Sequence, residues 1–419
     1  MKRLAVVLSL AVLFLVGCGG GGGPVEINQP ADYRPAVAQS TSVGNTNCVI
    51  KPARKSGTYR SAVLDMRFDQ PSDFNAMGHQ VNSYNAVTLY IDKINCVGFD
   101  TVVFQTNTPI DTATGALMLY DPDVLSSNRD KSIPKDFWPL VDYAKNKGLT
   151  VLIKLIPVNY ITDDTICPVC KKLPATFNVD TFFNAMASYE KQIAQQAQLH
   201  KVDGFYIGAY QTGLDATEYT TQWDKIISQV QSVYSGKLIY ESCYQCSTFL
   251  WSKVDIVALG MHDIVLGTSS NSLTQLINHQ IVTEFVSYVQ KNSAQYAKPI
   301  IIDSVTINAS ATKDDLFAMT QSGQTISHIK VNYPQQAMAL SVAFELTGTK
   351  LNNIVTGVSF REYMPWGDAS WIQRPNPTRQ GDVNFNLVMA LGIDLYHNEP
   401  AQTKLSEYLQ KPWGHHTMN

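Results

Sequence analysis

Polar and aromatic side chains in this chain recur just after short apolar runs, and their types suggest a chemistry before any fold is drawn. In "VDGFYIGAYQTGLD", residues 202–215, an apolar run breaks at Gly208 into Tyr210, Gln211 and Asp215. Comparable run ends carry Asp65 and Arg67, Gln105 and Asn107, Lys154 and Asn159, Glu241, His262 and Asp263, Asp303 and Ser304, then Arg361, Glu362 and Trp366. Gathered on one surface, these residues make an acidic, amide-bearing and aromatic site. Carboxylates and amides bond hydroxyl groups, while Tyr and Trp faces cover an apolar ring face, so the mixture suits a sugar. Glu241, Asp303 and Glu362 are the candidate catalytic carboxylates. Asp65, Gln105, Asn107, Tyr210, His262, Asp263 and Trp366 are the candidate binding residues. Each acid has a competing structural role as the partner of Arg67, Lys154 or Arg361. "GMHD" has no second histidine at metal spacing, and no motif calls for a metal or a cofactor.

The elements that must hold these residues alternate. Eight β-rich runs, "SAVLDMRF", "DTVVFQTN", "LTVLIKLIPV", "VDGFYIGAY", "KLIYES", "VDIVALGMHD", "KPIIIDSVTI" and "NIVTGVSFREYMPW", are separated by stretches with helical spacing. The helical stretches include "DFWPLVDYAKNKG" stopping at Gly148, "TFFNAMASYEKQIAQQAQLH", and "TTQWDKIISQVQSVYSG" stopping at Gly236. Eight strand–helix units predict an α/β fold, a (β/α)₈ barrel over residues 58–400 with a tail over 401–419. Function then sits at the C-terminal strand ends, where the polar residues fall. No glycine-rich dinucleotide fingerprint follows the first strand. Trp138, Trp223 and Trp251 lie on helical segments and read as packing.

The chain is 419 residues with Lys+Arg 32 against Asp+Glu 35, a formal net charge of -3, so no basic stripe points to nucleic acid. Lys2 and Arg3 precede an apolar run from Leu4 to Val16 and then "LVGC", which ends at Cys18. The run is too short to span a bilayer and has the flanks of a signal peptide over residues 1–17. It resembles a bacterial lipoprotein signal, which implies acylation of Cys18 and a membrane lipid anchor. Gly19 after the cysteine, by the same resemblance, implies the outer membrane of a Gram-negative bacterium. Five glycines and a Pro- and Ser-containing stretch make residues 18–57 a tether. Cys48, Cys96, Cys167, Cys170, Cys243 and Cys246 remain, an even number that reads as three disulfides in an oxidising compartment. The alternative is a four-thiolate zinc site from "CPVC" and "CYQC".

Three stretches together resemble the glycoside hydrolase barrels that include the β-mannanases, most closely the family 113 group. They are "VDGFYIGAY", "YSGKLIYES...FLWSKVDIVALGMHD", and "KPIIIDSV...YPQQAMALSVAFE...GVSFREYMPW". The resemblance implies a retaining mechanism, with an acid/base after the fourth strand and a nucleophile after the seventh. Here those addresses fall on Tyr210 and Ser304, neither of which can do the work of a glutamate. Asp303 stands one residue earlier, where strand alternation turns it toward the helices unless a bulge reverses it. The reading is therefore a membrane-anchored, glycoside-hydrolase-like lipoprotein that binds a polysaccharide without the standard mechanism. An active hydrolase with relocated carboxylates and a structural cell-envelope lipoprotein are its rivals.

Overall fold

The computed structural model describes residues 56–65, 84–110, 114–116, 137–159, 176–209, 214–243, 248–260, 272–305, 333–360, 363–364, 393–394 and 400–413. Eight strands form a closed, all-parallel barrel: β1 (Tyr59–Asp65), β2 (Thr101–Ile110), β3 (Thr150–Asn159), β4 (Gly204–Ala209), β5 (Lys237–Cys243), β6 (Ile256–Gly260), β7 (Ile300–Val305) and β8 (Val355–Phe360). Neighbours in sequence are neighbours in the barrel, and β8 pairs with β1 to close it. This is a (β/α)₈ barrel, and every strand lies within one of the eight runs named above except for one to three residues at its ends.

Outside the barrel lie α1 (Tyr84–Val97), α2 (Phe137–Asn146), α3 (Val179–Leu199), α4 (Thr220–Gln231), α5 (Leu273–Ile277), α6 (Gln280–Tyr296), α7 (Tyr333–Gly348) and α8 (Pro400–Leu409). Asn178 caps α3 by accepting the Thr181 amide at 2.9 Å. Gly148 adopts φ +78 after α2, which a side chain disfavours, and so stops that helix as expected. α4 ends at Gln231, not at Gly236. The Tyr234 amide turns back to the Val230 carbonyl at 2.9 Å, and the Tyr234 hydroxyl is drawn inward to the Val202 carbonyl at 3.0 Å. That anchor unwinds the chain before the glycine. The first residues after position 400 form α8, which buries Leu405, Tyr408 and Leu409.

Apolar packing forms two shells, because a parallel strand inside a ring of helices is covered on both faces. Val102, Phe104, Val151, Ile153, Phe205 and Ile207 face the helices, with Trp223 and Trp251 fully buried among them. Tyr59, Val63, Val103, Leu152, Tyr206, Ile239, Ile256, Ala258 and Ile301 fill the barrel interior.

Three aspartates organise the N-terminal end. Each stands just before an even-numbered strand and accepts a backbone amide from the preceding odd one. Asp100 takes Arg60 N at 2.9 Å, Asp203 takes Val151 N at 2.8 Å, and Asp255 takes Leu238 N at 2.9 Å. Asp100 also pairs with the Arg60 guanidinium at 2.9 Å, and that guanidinium donates to the Leu409 carbonyl at 2.7 Å, which fastens the end of α8 under the barrel. Those carbonyls have no partner inside the helix, so the arginine satisfies them.

Glu190 stands on the core-facing stripe of α3 between Ala187 and Ala194, fully buried, and neither of its oxygens has a hydrogen-bond partner among the described residues. Burial pushes its carboxyl well above the usual carboxylate range, so it folds as the neutral acid. The native state then holds a proton that the unfolded chain releases above about pH 4.3. Stability is complete below that value and falls as pH rises toward the raised native value, by up to about 1.4 kcal/mol per pH unit. Glu190→Gln should remove this part of the slope in denaturant titrations between pH 5 and pH 8. An unchanged slope would place a proton acceptor or donor beside Glu190.

Candidate functional site

Inward-facing residues of a (β/α)₈ barrel stack in layers drawn from alternate strands. The strand register puts Ser61, Leu152, Ile239 and Ile301 in one layer, and Val103, Tyr206, Ala258 and Ser359 in the next toward the C-terminal end. Above them comes a layer of Val63 from β1, Lys154 from β3, Glu241 from β5 and Asp303 from β7. A position usually filled by four apolar side chains thus holds three charges.

These charges meet. Lys154 Nζ is ion-paired with Glu241 Oε2 and lies 3.5 Å from Asp303 Oδ2. The Tyr206 hydroxyl donates to the same Asp303 oxygen at 2.7 Å, and Lys154 Nζ sits 5.4 Å from the centre of the Tyr206 ring. Lys154, Tyr206, Glu241, Asp303 and, on β2 in register with Lys154, Gln105 are all 0% exposed. Both carboxylates are thus engaged by one ammonium at full burial.

Asp303 corrects one expectation. Ile301, two residues earlier, already faces the interior, so strand alternation carries Asp303 inward as well. The bulge follows it: Ile302 opposes Val358 and Val305 opposes Phe360, so Asp303 and Ser304 together span the single residue Ser359. A second bulge lies on β4, where Tyr206 opposes Ile239 and Ala209 opposes Glu241, so Ile207 and Gly208 share Tyr240. Gly208 permits it, since a Cβ there would come within 2.9 Å of the Tyr240 ring and 3.2 Å of Trp223. The two strands that hold the catalytic addresses in the resemblance each carry an extra residue, as does β8, where Val355 and Gly357 oppose the consecutive Ile300 and Ile301.

The wall beyond β4 is pinned by Asp215, which the sequence reading placed at a strand end but gave no catalytic or binding role. The Tyr240 hydroxyl donates to its carboxylate at 3.1 Å, the Thr248 hydroxyl to its carbonyl at 3.1 Å, and Trp223 Nε1 to the Leu214 carbonyl at 2.8 Å. Tyr206 was also missed. Its hydroxyl is the one polar tip on an otherwise apolar strand.

Of the named candidates, Gln105, Glu241 and Asp303 come together around Lys154. Asp65 ends β1 opposite Gln105, and Asn107 stands two residues further along β2. Tyr210, His262, Asp263, Glu362 and Trp366 lie outside the described residues, as do Cys18, Cys48, Cys167, Cys170 and Cys246. Among the described residues no group of three His, Cys, Asp or Glu side chains could hold a metal ion.

A closed eight-stranded parallel barrel with polar groups at its C-terminal strand ends is a (β/α)₈ barrel that carries its candidate site on the usual functional face. The chain belongs to Glycoside Hydrolase Family 113, whose family model matches residues 80–318. Among solved structures, a GH113 β-1,4-mannanase in complex aligns at 15% identity and a TM-score of 0.53, over 84% of this chain and 98% of that one. The GH113 β-mannanase AaManA from Alicyclobacillus acidocaldarius, in complex with ManMIm, aligns at 13% identity and a TM-score of 0.55, over 84% and 97%. The GH53 catalytic domain of Ignisphaera aggregans aligns at 14% and 0.54, over 87% and 100%. At such identities the likeness to these structures is one of fold. No curated protein matches the chain in sequence.

The ion-pair layer gives a direct test. Lys154→Met leaves two carboxylates buried without their cation and should destabilise the protein by about 3–5 kcal/mol. Adding Glu241→Gln and Asp303→Asn to it should recover most of that loss, since neutral groups need no counter-charge. Urea denaturation of the three proteins checks both steps, and a Lys154→Met midpoint equal to the parent's would refute a buried network.

Proposed function

We propose that this family 113 barrel binds a polysaccharide at its C-terminal mouth without running the retaining glycosidase mechanism. The observation that carries the reading is the capture of Glu241 and Asp303 by Lys154 at full burial. A retaining enzyme needs two carboxyl groups about 5 to 5.5 Å apart, one able to deliver a proton and one able to attack the sugar. With Tyr210 and Ser304 at the usual addresses and these two acids engaged by an ammonium, Glu362 alone remains of the candidate carboxylates, and the mechanism needs two. The relatives are named as β-1,4-mannanases, which makes β-1,4-linked manno-oligosaccharides the first ligands to try. Tyr210 and Trp366 serve as ring platforms.

The barrel is exported and tethered through acylated Cys18, with the later cysteines oxidised. The signal-like N-terminus supports this, and so does Cys96 on α1, which is disulfide-bonded. Disulfides persist in compartments outside the reducing cytosol. No helix among the described residues is long and apolar enough to cross a membrane.

Calorimetric titration with a manno-oligosaccharide series, beside a reducing-sugar assay on the same protein, tests the reading. Binding without release of reducing ends is expected, and Tyr210→Ala should weaken it about tenfold, or ~1.4 kcal/mol. Turnover by the unmodified chain that collapses in Glu241→Gln would hand the function to relocated carboxylates. An absence of binding across a glycan array would favour a structural envelope role.

The anchor is tested separately. Cys18→Ser should move the protein from the membrane fraction to the soluble one and remove the mass of the acyl chains from the parent. Unchanged fractionation and mass would overturn lipidation and leave the glycan reading untouched.

A further inference from the structure

The seam that closes the barrel contains two hydroxyls with nothing to bond. Ser61 on β1 and Ser359 on β8 are register partners, each 0% exposed, and neither Oγ has a hydrogen-bond partner among the described residues. Both face the interior. Tyr59 and Val63, two residues either side of Ser61, belong to the interior cluster, whereas Val358 and Phe360, the neighbours of Ser359, belong to the outer shell. Ser359 also lies opposite Asp303 across the β7 bulge, so Ser61, Ser359 and Asp303 occupy three consecutive strands around one corner. The far side of the same layers is filled by Tyr206, Leu152 and Ile239.

A hydroxyl buried without a partner keeps the cost of leaving water, and two in register would double it. Native structures meet this with enclosed water, which needs a polar site and two to four partners. We propose that the β8–β1 seam encloses an ordered water site, bridging Ser61 Oγ and Ser359 Oγ and donating onward to the Asp303 carboxylate. The water links the strand closure to the charged layer. It lets Asp303 accept from the seam as well as from Lys154 and Tyr206, so the four groups form one network. Water fits the donor set better than a cation does. Two neutral hydroxyls and one carboxylate already engaged by an ammonium are a poor cage for a metal ion, which wants six or more oxygens and little positive charge nearby.

A crystal structure of the mature chain at a resolution that shows ordered solvent tests the site. Density about 2.8 Å from both serine oxygens is expected, with no anomalous signal after a rubidium soak. A rubidium peak there would replace water with a monovalent cation and overturn the proposal, and an empty seam would overturn it as well. In solution, Ser61→Ala and Ser359→Ala should each lower the thermal midpoint, and the double variant should fall no further than the lower single, because one water serves both. Two additive shifts would mean independent hydroxyls, and no shift in any variant would mean no bound water; both outcomes refute the bridge.

Discussion

The pairing of Lys154 with Glu241 and Asp303 is the constraint around which the barrel interior is arranged. A charge sealed among apolar layers is tolerated only with a counter-charge and hydrogen bonds for what remains. Each neighbour of the trio fits that demand. Tyr206 brings its hydroxyl from β4 to Asp303, and Gln105 places an amide beside Lys154 on β2. Beneath, Leu152, Ile239 and Ile301 close the floor. Such a layer need not add stability compared with four apolar side chains. It does penalise other registers, because a one-residue slip of β3, β5 or β7 would send a charge into the outer shell.

The two bulges follow from the same geometry. On β4 the extra residue lies between Tyr206 and Ala209, directly above the Tyr206 hydroxyl that serves Asp303. On β7 it lies just after Ile302, where Asp303 reaches its partners. Each bulge shifts the register of its strand at the ion-pair layer. Asp215 and Tyr240 then hold the wall beyond β4 to the end of β5. The layer, the bulges and the clamp run continuously from the buried floor to the rim.

The eight strands were legible because buried parallel strands read as unbroken apolar runs bounded by turn residues, and the barrel followed from their number. That same continuity hid which face each residue takes. In "IIIDSV" both faces are apolar up to Asp303, so alternation had no internal marker, and the direction of Asp303 was left to depend on a bulge. The end of α4 was misplaced because Gly236 is a good local stop, whereas the actual stop is a long-range bond from Tyr234 to Val202 that no local pattern carries. The aspartates of "DTVVF", "VDGFY" and "VDIVA" were a usable signal passed over. A carboxylate one residue before a strand, repeated at the second, fourth and sixth strands, is a device for fastening neighbouring strands at one end of the barrel.

The location of the acids separates a barrel that holds a sugar from one that cuts it. Catalysis asks a carboxylate to change its protonation or its bonding during the reaction, and so to be accessible and incompletely satisfied beforehand. Specific binding asks the opposite, donors and acceptors fixed in one state on a rigid support. Glu241 and Asp303 are fully buried, and a change in either would leave the Lys154 charge with one partner fewer among apolar layers. The same lysine therefore fixes both acids as parts of the barrel's interior support, and a family 113 scaffold organised around this layer carries its mouth on that support.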